Sequence, residues 1–222
     1  MSGATANARR RSRGSSRAPA RGRSRASARR RRFAIVVAII LGVSLAALVA
    51  VRGPVEDAVR EITLPLRHED VIRQQARDKN LDAELIAAVC YQESKFQDRT
   101  SHAGARGVMQ LLPSTADYIA RKSGGTQFVQ GDLADPQINI AYGSWYLRYL
   151  LDHYEGNERL AIAAYNAGET NVDKWVSEAG GPGEFDKDED IPFAETREYV
   201  ASVEEKKREY RKNYARELGI RD

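Results

Sequence analysis

The chain has 222 residues, room for one ordinary domain plus extensions. Its net charge of +4 conceals an asymmetry: residues 1–52 hold 13 of the 35 basic residues, all arginine, and none of the 31 acids, leaving residues 53–222 with a net charge of −9. That acidic remainder argues against a nucleic-acid-binding domain, and the single cysteine, Cys90, excludes an intramolecular disulfide and a cysteine-rich metal site. Cys90 reads as a small buried hydrophobe.

Residues 1–32, MSGATANARRRSRGSSRAPARGRSRASARRRR, hold no aliphatic side chain larger than alanine apart from Met1. Such a segment cannot bury enough surface to offset the entropy of ordering, so a disordered Arg-rich tail is expected. Residues 33–51, FAIVVAIILGVSLAALVAV, carry no charge. At about 1.5 Å per residue they are long enough to cross a hydrocarbon core about 30 Å thick, and they read as a transmembrane signal anchor. A cleaved signal peptide has a similar layout, but with a shorter apolar region of about 7–15 residues and a clear small-residue cleavage site. Arginines before the span place the N-terminus in the cytoplasm and the acidic part outside. Arg-rich segments also attract nucleic-acid phosphate, but beside a membrane span a topogenic flank is the simpler role, and no nucleic-acid partner is expected.

Residues 52–67, with Pro54 and Pro65, read as a juxtamembrane linker, and the globular pattern runs over 68–218. The first clear helix is 82–93, with Asp82 as N-cap and Leu85, Ile86, Val89 and Cys90 at spacings of three and four. Residues 114–122 form a further candidate. In 136–154, Asp135 caps and Pro136 opens the helix, with Ile138, Ala141, Tyr142, Trp145 and Tyr149 on one face. Asn157 caps 158–167, and Gly168 is placed to take a left-handed conformation at its end. Residues 171–179 and 195–217 complete the set. Nothing alternates with period two, so the predicted fold is mainly α, interrupted by loops at 98–107 and 180–192. The second loop is acidic but lacks the ligand spacing of a calcium-binding EF-hand, and reads as a solvated loop.

Within the first helix, Glu93 follows Cys90 by three, Val89 by four and Ile86 by seven residues, so its carboxylate continues the apolar stripe. Burial disfavours the ionised form and raises a carboxyl pKa, which suits a general acid. Spacing alone leaves open a plainer role, a helix-end acid paired with Lys95 or Arg99.

Further along the chain, YQESKF is followed in order by GARGVMQLLPSTA (104–116), DPQINIAYGSWYL (135–147), AAYNAG (163–168) and IPFAETREYV (191–200). Together, over about residues 70 to 202, these resemble the soluble lytic transglycosylase catalytic domain, family 1, of the lysozyme-like superfamily. The resemblance implies a lysozyme-like helical domain that cleaves the β-1,4 bond between N-acetylmuramic acid and N-acetylglucosamine in peptidoglycan. No water is consumed, and a 1,6-anhydromuramoyl end results. It makes Glu93 the single general acid and base. Ser94, Met109, Gln110, Tyr165, Asn166 and Tyr199 become substrate-binding residues, with the Tyr165 phenol near the acid. No metal or cofactor is implied, and His68, His102 and His153 match no motif. Each assignment has a plainer rival: packing for Met109 and Tyr199, turn geometry for Gly107 and Gly168, and helix-end hydrogen bonding for Asn166.

Two other functions stay open. A hydrolytic lysozyme-type muramidase needs a second carboxylate, for which Asp98 and Asp117 are candidates. Gln97 and Asp98 depart from the Asn-Pro that family members often carry there. A non-catalytic wall-binding module is the third possibility.

Overall fold

The computed structural model describes residues 23–186 and 189–220, so the expected disorder of residues 1–22 lies outside the described residues. The chain divides into two compact units, Met1–Asp57 and Ala58–Asp222. α1 (Arg23–Thr63), which continues past Asp57 into the second unit, begins ten residues before the uncharged stretch, so residues 23–32 are helical where disorder was expected. Propagation explains the difference, since once an apolar segment is helical each added Arg, Ala or Ser costs little. Phe33, Leu41, Val43 and Leu48 are all exposed on a helix that is apolar on every side. Its most apolar 18-residue window has a mean hydropathy of 3.0, long and apolar enough to cross a membrane by length and composition.

In the second unit follow α2 (Glu69–Lys79), α3 (Ala83–Ser94), α4 (Pro113–Ser123), a 3-10 turn (Gln130–Ala134), α5 (Pro136–His153), α6 (Glu158–Ala167), α7 (Glu169–Glu178) and α8 (Ala194–Tyr214). Among the described residues there is no strand, only isolated bridges from Arg106 to Thr100 and Leu111. The mainly α fold is therefore as the sequence predicts. Asp135 caps α5 by accepting from the Gln137 amide, and Asn157 caps α6 by accepting from the Leu160 amide. Gly168 has the expected positive φ of 86° but an extended ψ of 143°, because it joins α6 to α7 with no intervening loop. The predicted helix 171–179 consequently starts two residues early.

The stretch expected as a linker is bound to the domain. Tyr210 donates to Pro65 O (2.6 Å), Tyr214 to Leu64 O (2.8 Å) and Tyr91 to Thr63 O (3.0 Å), while Leu64 and Leu66 are buried. The compact unit thus starts ten residues before His68. Pro65 and Leu66 are too few and too apolar to stay in water once α8 offers a partner.

α3 is the axis of the core. Every residue from Ala83 to Cys90 is buried, and the helix packs chiefly on α8 and also on α2. The one acid in that run, Glu84, is held by Arg211 at 2.6 Å, as a buried charge requires. A smaller cluster of Leu111, Ala116, Ile119 and Leu133 lies beneath α4, and Tyr146 and Tyr165 pack against both clusters along the seam.

Tyr214 tests the attachment of the 58–67 segment. Y214F removes one hydrogen bond and is expected to cost about 1 kcal/mol in thermal unfolding. Y214A also removes a buried ring and is expected to cost about 3–5 kcal/mol.

Candidate active site

Glu93 sits one residue from the end of α3, where the buried helix reaches the surface. Lys95 and Phe96 then take left-handed conformations (φ 53° and 62°), with their amides on Tyr91 O and Cys90 O. Two non-glycine residues in that region cost on the order of 1 kcal/mol or more each, and the turn leaves the acid at the helix rim. Tyr199, from α8, donates to Glu93 Oε1 at 2.6 Å. Arg99 donates to the Glu93 backbone carbonyl at 2.7 Å.

Burial pushes the Glu93 carboxyl up to about 7, and the Tyr199 hydrogen bond and then the Arg99 charge pull the other way. Desolvation wins, so the group is protonated in a substantial fraction of molecules at neutral pH. Burial, with Glu93 next in importance, holds the Tyr199 and Tyr165 phenols well above their ordinary range. Both remain donors.

Two cavities flank the acid. One, of about 430 Å³, is lined by Glu93, Gln110, Thr115, Tyr146, Tyr165 and Asn166 among others. The second, of about 440 Å³, is lined by Gln92, Glu93, Asn166, Glu195, Glu198 and Tyr199 among others. A larger cavity, of about 790 Å³, lies away from Glu93 beside Arg73, Arg77 and Arg211. The flanking pair is the candidate site because it contains Glu93, whose carboxyl burial raises to about 7.

The loop opposite the acid is fixed by hydrogen bonds that the sequence did not announce. Asn139, fully buried on α5, accepts from the Met109 amide (2.7 Å) and donates to Arg106 O (2.9 Å) and Leu133 O (3.1 Å). Gly107 lies against that side chain with φ 76°, where a Cβ would collide with Asn139 and the Leu133 carbonyl. Gln110 also takes a positive φ of 47°, and its side chain closes the turn onto Arg99 O and Gly107 O. Tyr165 donates to Met109 O at 2.9 Å.

Of the residues assigned to substrate, Gln110, Tyr165, Asn166 and Tyr199 line these cavities with Glu93. Tyr199 touches the acid itself, while Tyr165, expected near the acid, lines the same cavity and donates its hydrogen to Met109 O. Ser94 and Met109 differ from expectation. Ser94 is 1% exposed and donates to Val108 O at 2.7 Å. One residue along a helix turns the side chain about 100°, so the neighbour of a groove-facing acid points into the protein. Met109 is fully buried, its sulfur and methyl seated against Gly143 of α5, where a Cβ would clash. It supports the groove through its backbone.

Asp98 and Asp117 are exposed and line neither cavity, and Asp117 accepts from Gln130 at 2.6 Å. Glu195, Thr115 and Tyr146 line the site and were not anticipated. Glu195 stands within the quoted stretch IPFAETREYV, four residues before Tyr199 and so on the same face of α8, a signal the sequence did offer.

The family model "Transglycosylase SLT domain" matches residues 70–187. The chain belongs to this family. It is 33% identical over 162 residues to a soluble lytic murein transglycosylase of Salmonella typhimurium, covering 72% of this chain and 25% of the relative. A membrane-bound lytic murein transglycosylase C of Glaesserella parasuis is 38% identical over 112 residues, covering 46% and 31%. The structure resembles that of the 70 kDa soluble lytic transglycosylase of Escherichia coli with a TM-score of 0.65 and 31% identity, over 73% of this chain and 27% of the other. The fold is therefore the lysozyme-like helical fold. The chain spans about a quarter of the length of the Salmonella and Escherichia coli proteins.

E93Q is expected to lower turnover on murein by about 10²–10⁴-fold, the usual contribution of a positioned general acid. Wild-type activity should fall as pH rises through about 7. In Y199F the loss of a donor to the carboxylate should move that limb to higher pH. For stability the sign is set by a folded-state pKa above the unfolded value of 4.5: the carboxyl's contribution is complete below about 4.5 and lost as pH rises through about 7. E93Q removes that loss, so its melting temperature should exceed that of wild type at pH 8, with the advantage disappearing by pH 4.

Proposed function

We propose that the chain is a membrane-anchored lytic transglycosylase that cleaves the MurNAc-GlcNAc β-1,4 bond of peptidoglycan glycan strands and leaves a 1,6-anhydromuramoyl end. The observation that carries this reading is the partly desolvated Glu93, its carboxyl raised to about 7 and hydrogen-bonded by Tyr199 in a groove lined by Gln110, Tyr165 and Asn166. Membership of the transglycosylase SLT domain family supports it.

Glu93 protonates the bridging glycosidic oxygen, and the bond to the anomeric carbon breaks. The substrate's own N-acetyl group steadies the positive charge that develops there, a role that ordinary glycosidases give to a second carboxylate. Glu93, now ionised, takes the proton of the muramoyl 6-hydroxyl as that oxygen attacks the anomeric carbon. The proton gained in the second step restores the acid lost in the first, so no water and no cofactor enter the balance. Tyr199 favours the ionised form of Glu93 formed between the two steps. With its Nε2 hydrogens spent on Arg99 O and Gly107 O, Gln110 offers the sugar only its Oε1, and Asn166, whose Oδ1 accepts from Thr196, offers its Nδ2.

α1 fits a single-pass signal anchor with a cytoplasmic N-terminus, which puts the acidic domain on the side where murein lies. That the Glaesserella relative is named a membrane-bound enzyme supports the membrane half of this reading.

Glu195 sustains one other reading. It lines both cavities beside Glu93 and could serve as the base of a hydrolytic muramidase. Mass spectrometry of the products from purified murein separates the two. Anhydro ends, one water lighter than reducing ends, are expected from wild type and from E195Q. Reducing-end products from wild type, lost in E195Q, would establish hydrolysis instead.

A further inference from the structure

Away from Glu93, three side chains with metal-binding donors converge where α5 ends and α7 begins. His153 Nε2 lies 2.8 Å from Asp173 Oδ1, and Nδ1 lies 3.9 Å from Glu169 Oε1. One donor atom from each of the three residues falls within 4.8 Å of the others. Glu169 and Asp173 are four residues apart on α7 and share a face, while His153 closes α5 and reaches them from a different helix.

Two further observations bear on what the cluster holds. The first is that its orientation is fixed in advance. The imidazole stacks on Tyr149 (6.3 Å between centroids, 24°) and meets the edge of Tyr154 at 4.7 Å. The same tyrosines donate to the carboxylates: Tyr149 to Glu169 Oε1 at 3.1 Å and Tyr154 to Asp173 Oδ1 at 3.0 Å. Each phenol engages the carboxylate oxygen that also faces the imidazole, and so holds that oxygen in the cluster. Outer partners of this kind commonly orient metal ligands. The second observation is charge: among the described residues neither Glu169 nor Asp173 has a Lys or Arg within ion-pair distance, so two carboxylates face each other across one imidazole. A divalent cation would balance them where a single imidazolium cannot.

We propose that His153, Glu169 and Asp173 bind one zinc-class divalent cation. One nitrogen and two carboxylate donors suit zinc, which takes three protein ligands and a water in tetrahedral sites, better than calcium, which takes six to eight oxygens. The ion replaces the proton on the imidazole nitrogen it binds, so affinity falls at acid pH. Glu169 also lines a cavity of about 250 Å³ with Thr115, Tyr118 and Tyr146. Thr115 and Tyr146 are shared with the cavity beside Glu93, so a bound ion would fix the wall at the outer end of the groove.

The test uses the untagged full-length chain in detergent micelles, stripped with a chelator and titrated with Zn²⁺ by calorimetry, with bound metal counted by inductively coupled plasma mass spectrometry. One zinc per chain is expected, with a rise in melting temperature on loading. H153Q and D173N, checked for native circular dichroism, should each weaken binding by at least about tenfold. Should either variant misfold, Co²⁺ added to the wild type supplies the readout: visible d–d bands of a tetrahedral nitrogen and oxygen site are expected. Absence of stoichiometric zinc and of those bands overturns the proposal. So does zinc binding that H153Q and D173N leave unchanged.

Discussion

α3 is buried on every side from Ala83 to Cys90, and a helix of that kind must be surrounded by protein before the domain can be stable. α8 and α2 supply most of that cover. The helix stays enclosed until its last turn, where Tyr91, Gln92 and Glu93 are partly exposed. The acid is therefore desolvated by the core itself, without any dedicated apolar pocket. A carboxyl attached to the end of a buried helix has little choice but a raised pKa, because the cost of moving it into water is the cost of moving α3. Tyr199 comes from α8, the helix that covers α3 most extensively, so the element that desolvates the acid also supplies its hydrogen bond.

The wall opposite is built on another principle. Residues 104–112 have almost no regular structure, yet Val108, Met109 and Leu111 are buried. A buried loop must satisfy its backbone from elsewhere. Asn139 does this for Met109 N, Arg106 O and Leu133 O, Ser94 for Val108 O, and Tyr165 for Met109 O. Gly107 and Gly143 keep space open for Asn139 and Met109. The wall is held because its polar atoms are paired beneath the surface, the Gln110 side chain included.

What could be read from the sequence divides along the same physical line. Local features were legible: the stripe of Ile86, Val89, Cys90 and Glu93, the caps at Asp135 and Asn157, and the uncharged run from 33 to 51 all depend on neighbours within a few residues. The direction of a single side chain was not. Ser94 and Met109 stand in the motifs that carry the resemblance, but Ser94 turns inward to Val108 O and Gly143 opens a hole for Met109. Tyr199 meets Glu93 across 106 residues of chain, and no periodicity reports such a contact. Asn139 stands within DPQINIAYGSWYL, but one polar residue on a helix face gives no sign of three backbone partners. The attachment of residues 58–67 was missed for a similar reason: Pro65 reads as a linker residue until Tyr210 and Tyr214 are seen to hold it.

Everything chemical in this arrangement depends on Glu93 being a weak acid because it is buried. The direct measurement is a carbon-13 NMR titration of the glutamate side-chain carboxyls, with the Glu93 resonance assigned by comparison with E93Q. A midpoint near 7 is expected, moving upward in Y199F. A midpoint near 4.5, unchanged in Y199F, would show an ordinary solvated carboxylate and contradict the central claim.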